Sequence, residues 1–140
     1  CYFDDYSRIQ VAGNAVLQCH NHVYCNTNVR INANALISIG EHTMIGPNVC
    51  IFDHDHVFDA GGVHTELTDA PISIGNRCWL AANSVITKGV SICDKVLIGG
   101  GSVVTRSLDA PGVYAGAPCH LIRQILGKDD VTHIDKAEKL

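Results

Sequence analysis

The feature that most restricts this chain is a period of six. From residue 74 it can be written as "IGNRCW", "LAANSV", "ITKGVS", "ICDKVL", "IGGGSV" and "VTRSLD", and an aliphatic residue opens every block: Ile74, Leu80, Ile86, Ile92, Ile98 and Val104. The second place is compact or hydroxylated (Gly75, Ala81, Thr87, Cys93, Gly99, Thr105), and the fifth is small or branched (Cys78, Ser84, Val90, Val96, Ser102, Leu108). A helix of 3.6 residues per turn cannot keep residues six apart on one face, and a plain strand of period two has no need of a compact residue at each second place. Six-residue turns with an inward aliphatic side chain describe a parallel β-helix of short strands. Ordering one hexad costs roughly 6 to 12 kcal/mol of backbone entropy. Its buried aliphatic side chain contributes only about 1.5 to 3 kcal/mol. Coils must therefore stack, and their ends and flat faces require a cap or a neighbouring subunit.

The same writing holds upstream, where "IGEHTM" and "IGPNVC" place Ile39, Ile45 and Ile51 in phase. Ile51 and Ile74 are 23 residues apart, which is not a multiple of six, so the chain leaves the coil between them. Val11, Leu17, Val23 and Val29 form a further series in another phase, which places a smaller slip between Val29 and Ile39. The expected organisation is an all-β solenoid over 1–110 with a projecting loop at about 52–73, followed by a C-terminal cap, helix and tail over 111–140. In "DAPGVYAGAPCHLIRQIL", Pro111, Gly112, Gly116 and Pro118 break the period, while Leu121, Ile122, Ile125 and Leu126 recur at helical spacing. A short amphipathic helix is expected there, and the charged "GKDDVTHIDKAEKL" is expected to be a second helix or disordered.

Composition narrows the function classes. The 140 residues suit one domain, and 46% hydrophobic content suits a packed core. A net charge of -4 and a pI near 6.0 give no reason to expect nucleic acid or an anionic membrane as partner. Seven cysteines without a C-x-x-C pair fit neither a disulfide framework nor a zinc ribbon, so reduced thiols in a cytoplasmic setting are expected. No apolar run reaches the roughly 18 residues of a membrane span, and no signal peptide is visible. Cys1 stands where an initiating Met would, which suggests a truncated or processed N-terminus.

The departure from the coil begins at "IFDHDHVFD", residues 51–59, where His54 and His56 alternate with Asp53, Asp55 and Asp59. On residue types alone this is a metal site, a general base with orienting acids, or a solvated loop. With "IGPNVCIFDHDH", the link "DAPISIG" and the long run "ISIGNRCWLAANSVITKGVSICDKVLIGGGSVVTRSLDAPGVYAGAPCHLIR", residues 24–125 resemble the hexapeptide-repeat acyltransferases. The likeness is greatest to the maltose, galactoside and polysaccharide O-acetyltransferase branch. That resemblance implies a left-handed parallel β-helix, an exception to the usual right-handed crossover. It also implies a homotrimer with acetyl-CoA sites in the grooves between subunits, a sugar or polysaccharide hydroxyl as acceptor, and no metal.

The family's catalytic histidine lies seven residues after the valine of the "PNV" segment, which counted from Val49 is His56, with His54 as its neighbour. Acyl transfer to a hydroxyl needs the acceptor's proton removed during attack, a task for neutral imidazole near pH 7 worth about 10² to 10⁴ in rate. Asp53, Asp55, Asp59 or a backbone carbonyl could hold the other ring nitrogen, and the residues do not choose among them. In the most similar enzymes no carboxylate is required. By the same resemblance the oxyanion donor is the backbone N–H of Ala82 in "WLAAN", for which side-chain identity matters little. Gly100 and Thr105 take pantetheine-contact positions, and Arg106, His120 and Arg123 face the CoA phosphates, His120 standing where relatives often carry arginine. Trp79 is expected to point outward at the subunit groove, as packing or ligand contact. On the acceptor side Asn26 of "YCNTN" and Asn34 match sugar-binding positions, Asn34 replacing an acidic residue; both also suit coil corners. The helical N-terminal segment of the maltose and galactoside enzymes has no counterpart here, which fits a shorter polysaccharide-type transferase or the truncation.

Four rival readings follow. His42, His54, His56 and His64 raise a zinc enzyme of the γ-carbonic-anhydrase type, against which stand their clustering on a loop and the "AGAPCHLIR" exit. "CHNHVYC", residues 19–25, is metal-like in composition, but its members fall on different faces of a coil. An N-acetyltransferase acting on an amino sugar or antibiotic, and a catalytically idle binding solenoid, complete the alternatives.

Overall fold

The computed structural model describes residues 1–127, and among them it contains eighteen strands and no helix. The first coil is β1 (Tyr2–Phe3), β2 (Arg8–Val11) and β3 (Val16–Cys19), and the second is β4 (Tyr24–Cys25), β5 (Arg30–Ala33) and β6 (Leu36–Ile39). The third runs through β7 (Met44–Ile45) and β8 (Cys50–Phe52), leaves as an antiparallel hairpin of β9 (His54–Asp59) and β10 (Gly62–Asp69), and returns with β11 (Ile72–Ile74). Then come β12 (Trp79–Leu80), β13 (Val85–Ile86) and β14 (Ser91–Ile92), followed by β15 (Val96–Ile98) and β16 (Val103–Val104). The chain closes with β17 (Gly112–Ala115) and β18 (His120–Gln124). The result is a solenoid of about six turns with three faces. Face one stacks β1, β4, β7, β12, β15 and β17; face two stacks β2, β5, β8, β13 and β16; face three stacks β3, β6, β11 and β14.

The hexad pattern maps directly onto this frame. The block-opening residues Ile74, Leu80, Ile86, Ile92, Ile98 and Val104 are all 2% exposed or less. The fifth positions Cys78, Ser84, Val90, Val96, Ser102 and Leu108 are buried as well, so each hexad sends two side chains inward. The buried hydroxyls meet acceptors, as an interior polar group must: Ser84 donates to the Ala81 carbonyl at 2.8 Å and Ser102 to the Gly99 carbonyl at 2.6 Å. The compact second position reflects coil-to-coil approach. A Cβ on Gly75 would lie 2.6 Å from the backbone nitrogen of Asp94, well inside van der Waals contact. The expected slip between Val29 and Ile39 is located in β6, where Ile37 and Ile39 both face inward and are fully buried. In the upstream series Val23 and Val29 are buried, whereas Val11, in the terminal coil, is 45% exposed.

The expected C-terminal helix is not formed. Residues 121–124 belong to β18, which pairs antiparallel with β17 through Val113↔Arg123 and Tyr114↔Leu121. The helical spacing of Leu121, Ile122 and Leu126 misled because these side chains do not form an inward stripe: they are 43%, 47% and 84% exposed. What decides the local structure is the free edge of β17, a row of unpaired backbone groups that a returning strand satisfies and a helix would leave open. The second helix or disorder expected over the tail concerns 128–140, outside the described residues, and only Gly127 of that segment is within them.

Candidate active site

The hairpin leaves the solenoid at the edge between faces two and three. At an ordinary corner the backbone of one coil is met by the next, as where Gly75 N–H donates to the Ile92 carbonyl at 2.8 Å. At the departure point a side chain takes over that role. Two residues beyond the inward Ile51, Asp53 also turns inward and is fully buried. Its Oδ1 accepts the Asn34 N–H at 2.7 Å and its Oδ2 the Ala35 N–H at 2.8 Å, and its own carbonyl accepts the Ala70 N–H at 2.9 Å. The carboxylate thus satisfies the coil below, while the backbone carbonyl of the same residue ties both ends of the hairpin together. The sequence reading grouped Asp53 with possible orienting acids and missed this role; the available signal was an aspartate at inward parity.

Strand alternation puts His54, His56 and Phe58 on one face of the hairpin, opposite Asp69, Leu67 and Val63 of β10. His54 Nδ1 lies 3.2 Å from Asp53 Oδ1, and the His54 side chain is 25% exposed. His56 is exposed, and its Nδ1 lies 3.1 Å from the backbone carbonyl oxygen of His64. A carbonyl can only accept, so Nδ1 carries the proton and the neutral ring keeps its lone pair on Nε2. Among the orienting groups left open by the sequence, the backbone carbonyl is the one in place. Asp55 faces away, 3.5 Å from the ammonium of Lys88, which also donates to the Thr68 hydroxyl. Asp59 holds His64 instead, at 2.9 Å from its Nε2, and that hydrogen bond together with the Gly61 amide lowers the Asp59 carboxyl below its ordinary value. The pairing favours the charged carboxylate, so it is present at neutral pH and is lost as pH falls through that lowered value.

The remaining predicted residues separate into four places. Asn34 joins the hairpin base, donating through Nδ2 to Asp69 Oδ2 at 2.9 Å. Asn26, Ala82 and Gly100 lie on a different edge, between faces one and two; there Asn26 Oδ1 accepts the Thr27 N–H at 2.7 Å. The Ala82 carbonyl accepts the Gly101 N–H at 2.9 Å, while among the described residues its N–H has no protein acceptor. A Cβ on Gly46 would come within 2.8 Å of the Ala82 nitrogen, so glycine below keeps that amide uncovered. Trp79 points outward from face one and is 44% exposed. Near the C-terminal end a cavity of about 220 Å³ unites Arg106 and His120, with Asp109, Tyr114 and Leu121 in its wall. Thr105 precedes Arg106 in the turn after β16, and Arg123 sits on β18 opposite Val113. A site using both the hairpin imidazole and the Ala82 amide therefore draws on two edges of the prism.

His42 lies on the third edge, its ring 4.7 Å from that of His22, and among the described residues of this one chain no three His, Cys, Asp or Glu side chains converge as a metal-binding group. All seven thiols are free. Burial pushes Cys25 up to about 12 and raises Cys19, Cys78, Cys93 and Cys119, so none of these five is a ready thiolate nucleophile at neutral pH.

The chain is similar to several known proteins. A family model described as the hexapeptide repeat of succinyl-transferase matches residues 71–106. The galactoside O-acetyltransferase of Escherichia coli K12 is 35% identical over 129 residues, covering 91% of this chain and 60% of that protein. The galactoside O-acetyltransferase of Lactococcus lactis is 30% identical over 123 residues, 84% of this chain and 57% of that one. The chain thus spans about three fifths of the length of these curated relatives. Among solved structures, a maltose O-acetyltransferase from Clostridium difficile 630 superposes with a TM-score of 0.73 at 29% identity, covering 88% of this chain and 71% of that one. A galactoside acetyltransferase in complex with coenzyme A superposes at 0.70 with 27% identity, covering 92% and 70%. Among the described residues no helix is long and apolar enough to cross a membrane.

Proposed function

We propose that this chain, which belongs to the hexapeptide-repeat acetyltransferases in the galactoside and maltose O-acetyltransferase branch, transfers an acetyl group from acetyl-CoA to a hydroxyl of a sugar or polysaccharide unit. The observation that carries the reading is the His56 imidazole, exposed on the hairpin, with Nδ1–H donating to the His64 carbonyl and Nε2 left as the basic nitrogen. His56 Nε2 takes the acceptor's hydroxyl proton as its oxygen attacks the thioester carbonyl. The Ala82 N–H receives the oxygen of the tetrahedral intermediate, a preorganised donor at the point where negative charge develops. Collapse breaks the carbon–sulfur bond, and the imidazolium returns its proton to the departing thiolate.

The residues present suit acetyl-CoA. Gly46 and Gly100 hold side chains away from the Ala82 peptide, giving an extended pantetheine arm backbone to lie against. Arg106 and His120 share a cavity with room for phosphate groups, while Thr105 precedes Arg106 in the chain and Arg123 lies on β18. Trp79 stands on the outer surface of face one as a further contact. For the acceptor, Asn34 and His54 beside the base, and Asn26 on the neighbouring edge, supply hydroxyl-binding groups. The galactoside and maltose specificities printed for the relatives support a sugar acceptor.

The working unit in this reading is a homotrimer with sites between subunits. Support comes from the division of the site between two edges, and from the outward ladder Tyr2, Tyr24, Met44 and Trp79 on face one, an apolar stripe that a neighbouring copy would cover. A reducing, cytoplasmic setting suits the seven free thiols. The test is thiol release from acetyl-CoA across a panel of sugars, with the acetylated product identified by mass spectrometry and the native mass measured in parallel. Expected are acceptor-dependent release, a trimeric mass and a melting temperature raised by CoA. Absence of release with every acceptor, with no shift on adding CoA, contradicts the proposal.

A further inference from the structure

The hairpin that carries His56 is not regular. Gly62 pairs with Asp59 and Val63 with Phe58, but the next pair is Leu67 with His56. Three residues of β10, His64, Thr65 and Glu66, therefore stand against the single Val57 of β9. Bulged residues fall out of the ladder, and this frees the His64 carbonyl to accept a side-chain donor. A freed carbonyl on an exposed bulge has no ladder bonds to hold its direction. Its direction is held from the other end of the same residue. The His64 imidazole reaches Asp59 Oδ1 at 2.9 Å, and that oxygen also accepts the Gly61 N–H at 2.7 Å, closing the turn at the hairpin tip. A carboxylate only accepts, so His64 donates from Nε2.

We propose that Asp59 and His64 form a positioning clasp: the side-chain pair pins the bulge so that the His64 carbonyl stays within reach of His56 Nδ1, which selects the His56 tautomer with Nε2 unprotonated. This rests on the reading of His56 as the base. The chain of contacts is short and complete, from Asp59 to the His64 ring, from the His64 carbonyl to His56 Nδ1, and so to His56 Nε2. Neither clasp residue touches the reacting atoms. Both are well exposed, the side chains being 41% and 58% accessible, so the pair contributes at the modest level of surface ion pairs.

The test combines NMR with kinetics. Long-range ¹H–¹⁵N imidazole spectra of the full chain report the His56 tautomer without any need for turnover. The wild type is expected mainly as the Nδ1–H form. His64→Ala removes the clasp yet keeps the backbone carbonyl; it is expected to shift His56 toward the Nε2–H form that free imidazole favours, and to lower kcat about 2- to 5-fold at unchanged KM for acetyl-CoA. His64→Gln, whose amide can donate to Asp59, is expected to restore both. Glu66→Ala, in the same bulge, is expected to alter neither. An unchanged His56 tautomer in His64→Ala, or an equal change in Glu66→Ala, overturns the clasp. A tautomer shift in a protein that acetylates no acceptor supports the clasp and removes the proposed transfer reaction instead.

Discussion

The coil body and the hairpin answer the same demand in opposite ways. In the coils the strand backbones are met mainly by the coil above or below, with a few corner amides capped by Asn76 and Asp94, and two inward side chains with one compact residue per six suffice. At the hairpin the neighbouring coil is missing, and side chains take over: the Asp53 carboxylate caps Asn34 and Ala35, and Lys88 braces Asp55 and Thr68. The price is exposure, since Phe58 and Val63 are 78% and 71% accessible where Ile51 and Ile74 are sealed. The gain is a polar, irregular platform on which an imidazole can be held with one nitrogen free. Periodic regions of this molecule serve stability, and the proposed base stands where the period stops.

That contrast can be broken or sharpened by substitution. In the coil, Ile86→Ala removes a fully buried side chain between stacked strands, and denaturant unfolding should register a loss of about 2 to 5 kcal/mol. A loss below that range would mean the coils repack more freely than their register implies. At the junction, Asp53→Ala leaves two amides without their acceptor, for an expected loss of roughly 2 to 4 kcal/mol in the same assay. If it proves neutral, the hairpin base is not held as described. Gly75→Ala forces a methyl into the Asp94 backbone and should cost about 1 to 3 kcal/mol, read as a lowered melting temperature. On the hairpin face, Phe58→Ala should change stability by no more than about 0.5 kcal/mol, because little is buried there.

The two regions also differ in how much their residues announced. The hexads made the solenoid legible, together with its inward positions Ile74 to Val104, the slip near Ile39, and the point where the chain leaves at residue 52. Repetition supplies that legibility, because each block restates the same steric rule. The hairpin offered only a count from Val49 to His56. It did not disclose that the orienting group is the His64 carbonyl, since a bulge eight residues away decides it. It did not mark Asp53 as the cap either, because its contacts are to Asn34 and Ala35 of the preceding coil. At the C-terminus, Leu121 and Ile122 mimicked a helical stripe, while the free edge of β17 set the outcome. In each case the deciding partner lies outside the local window in which a pattern can be read.

The most direct test of the account is the acetyl-transfer rate of His56→Ala set beside its melting temperature. The imidazole is exposed and makes one hydrogen bond to a backbone carbonyl, so the variant should melt within a degree or two of the parent while kcat/KM falls by about 10² to 10⁴. A variant that keeps its rate, or one that loses activity only in step with a lowered melting temperature, would contradict the assignment of His56 as the base.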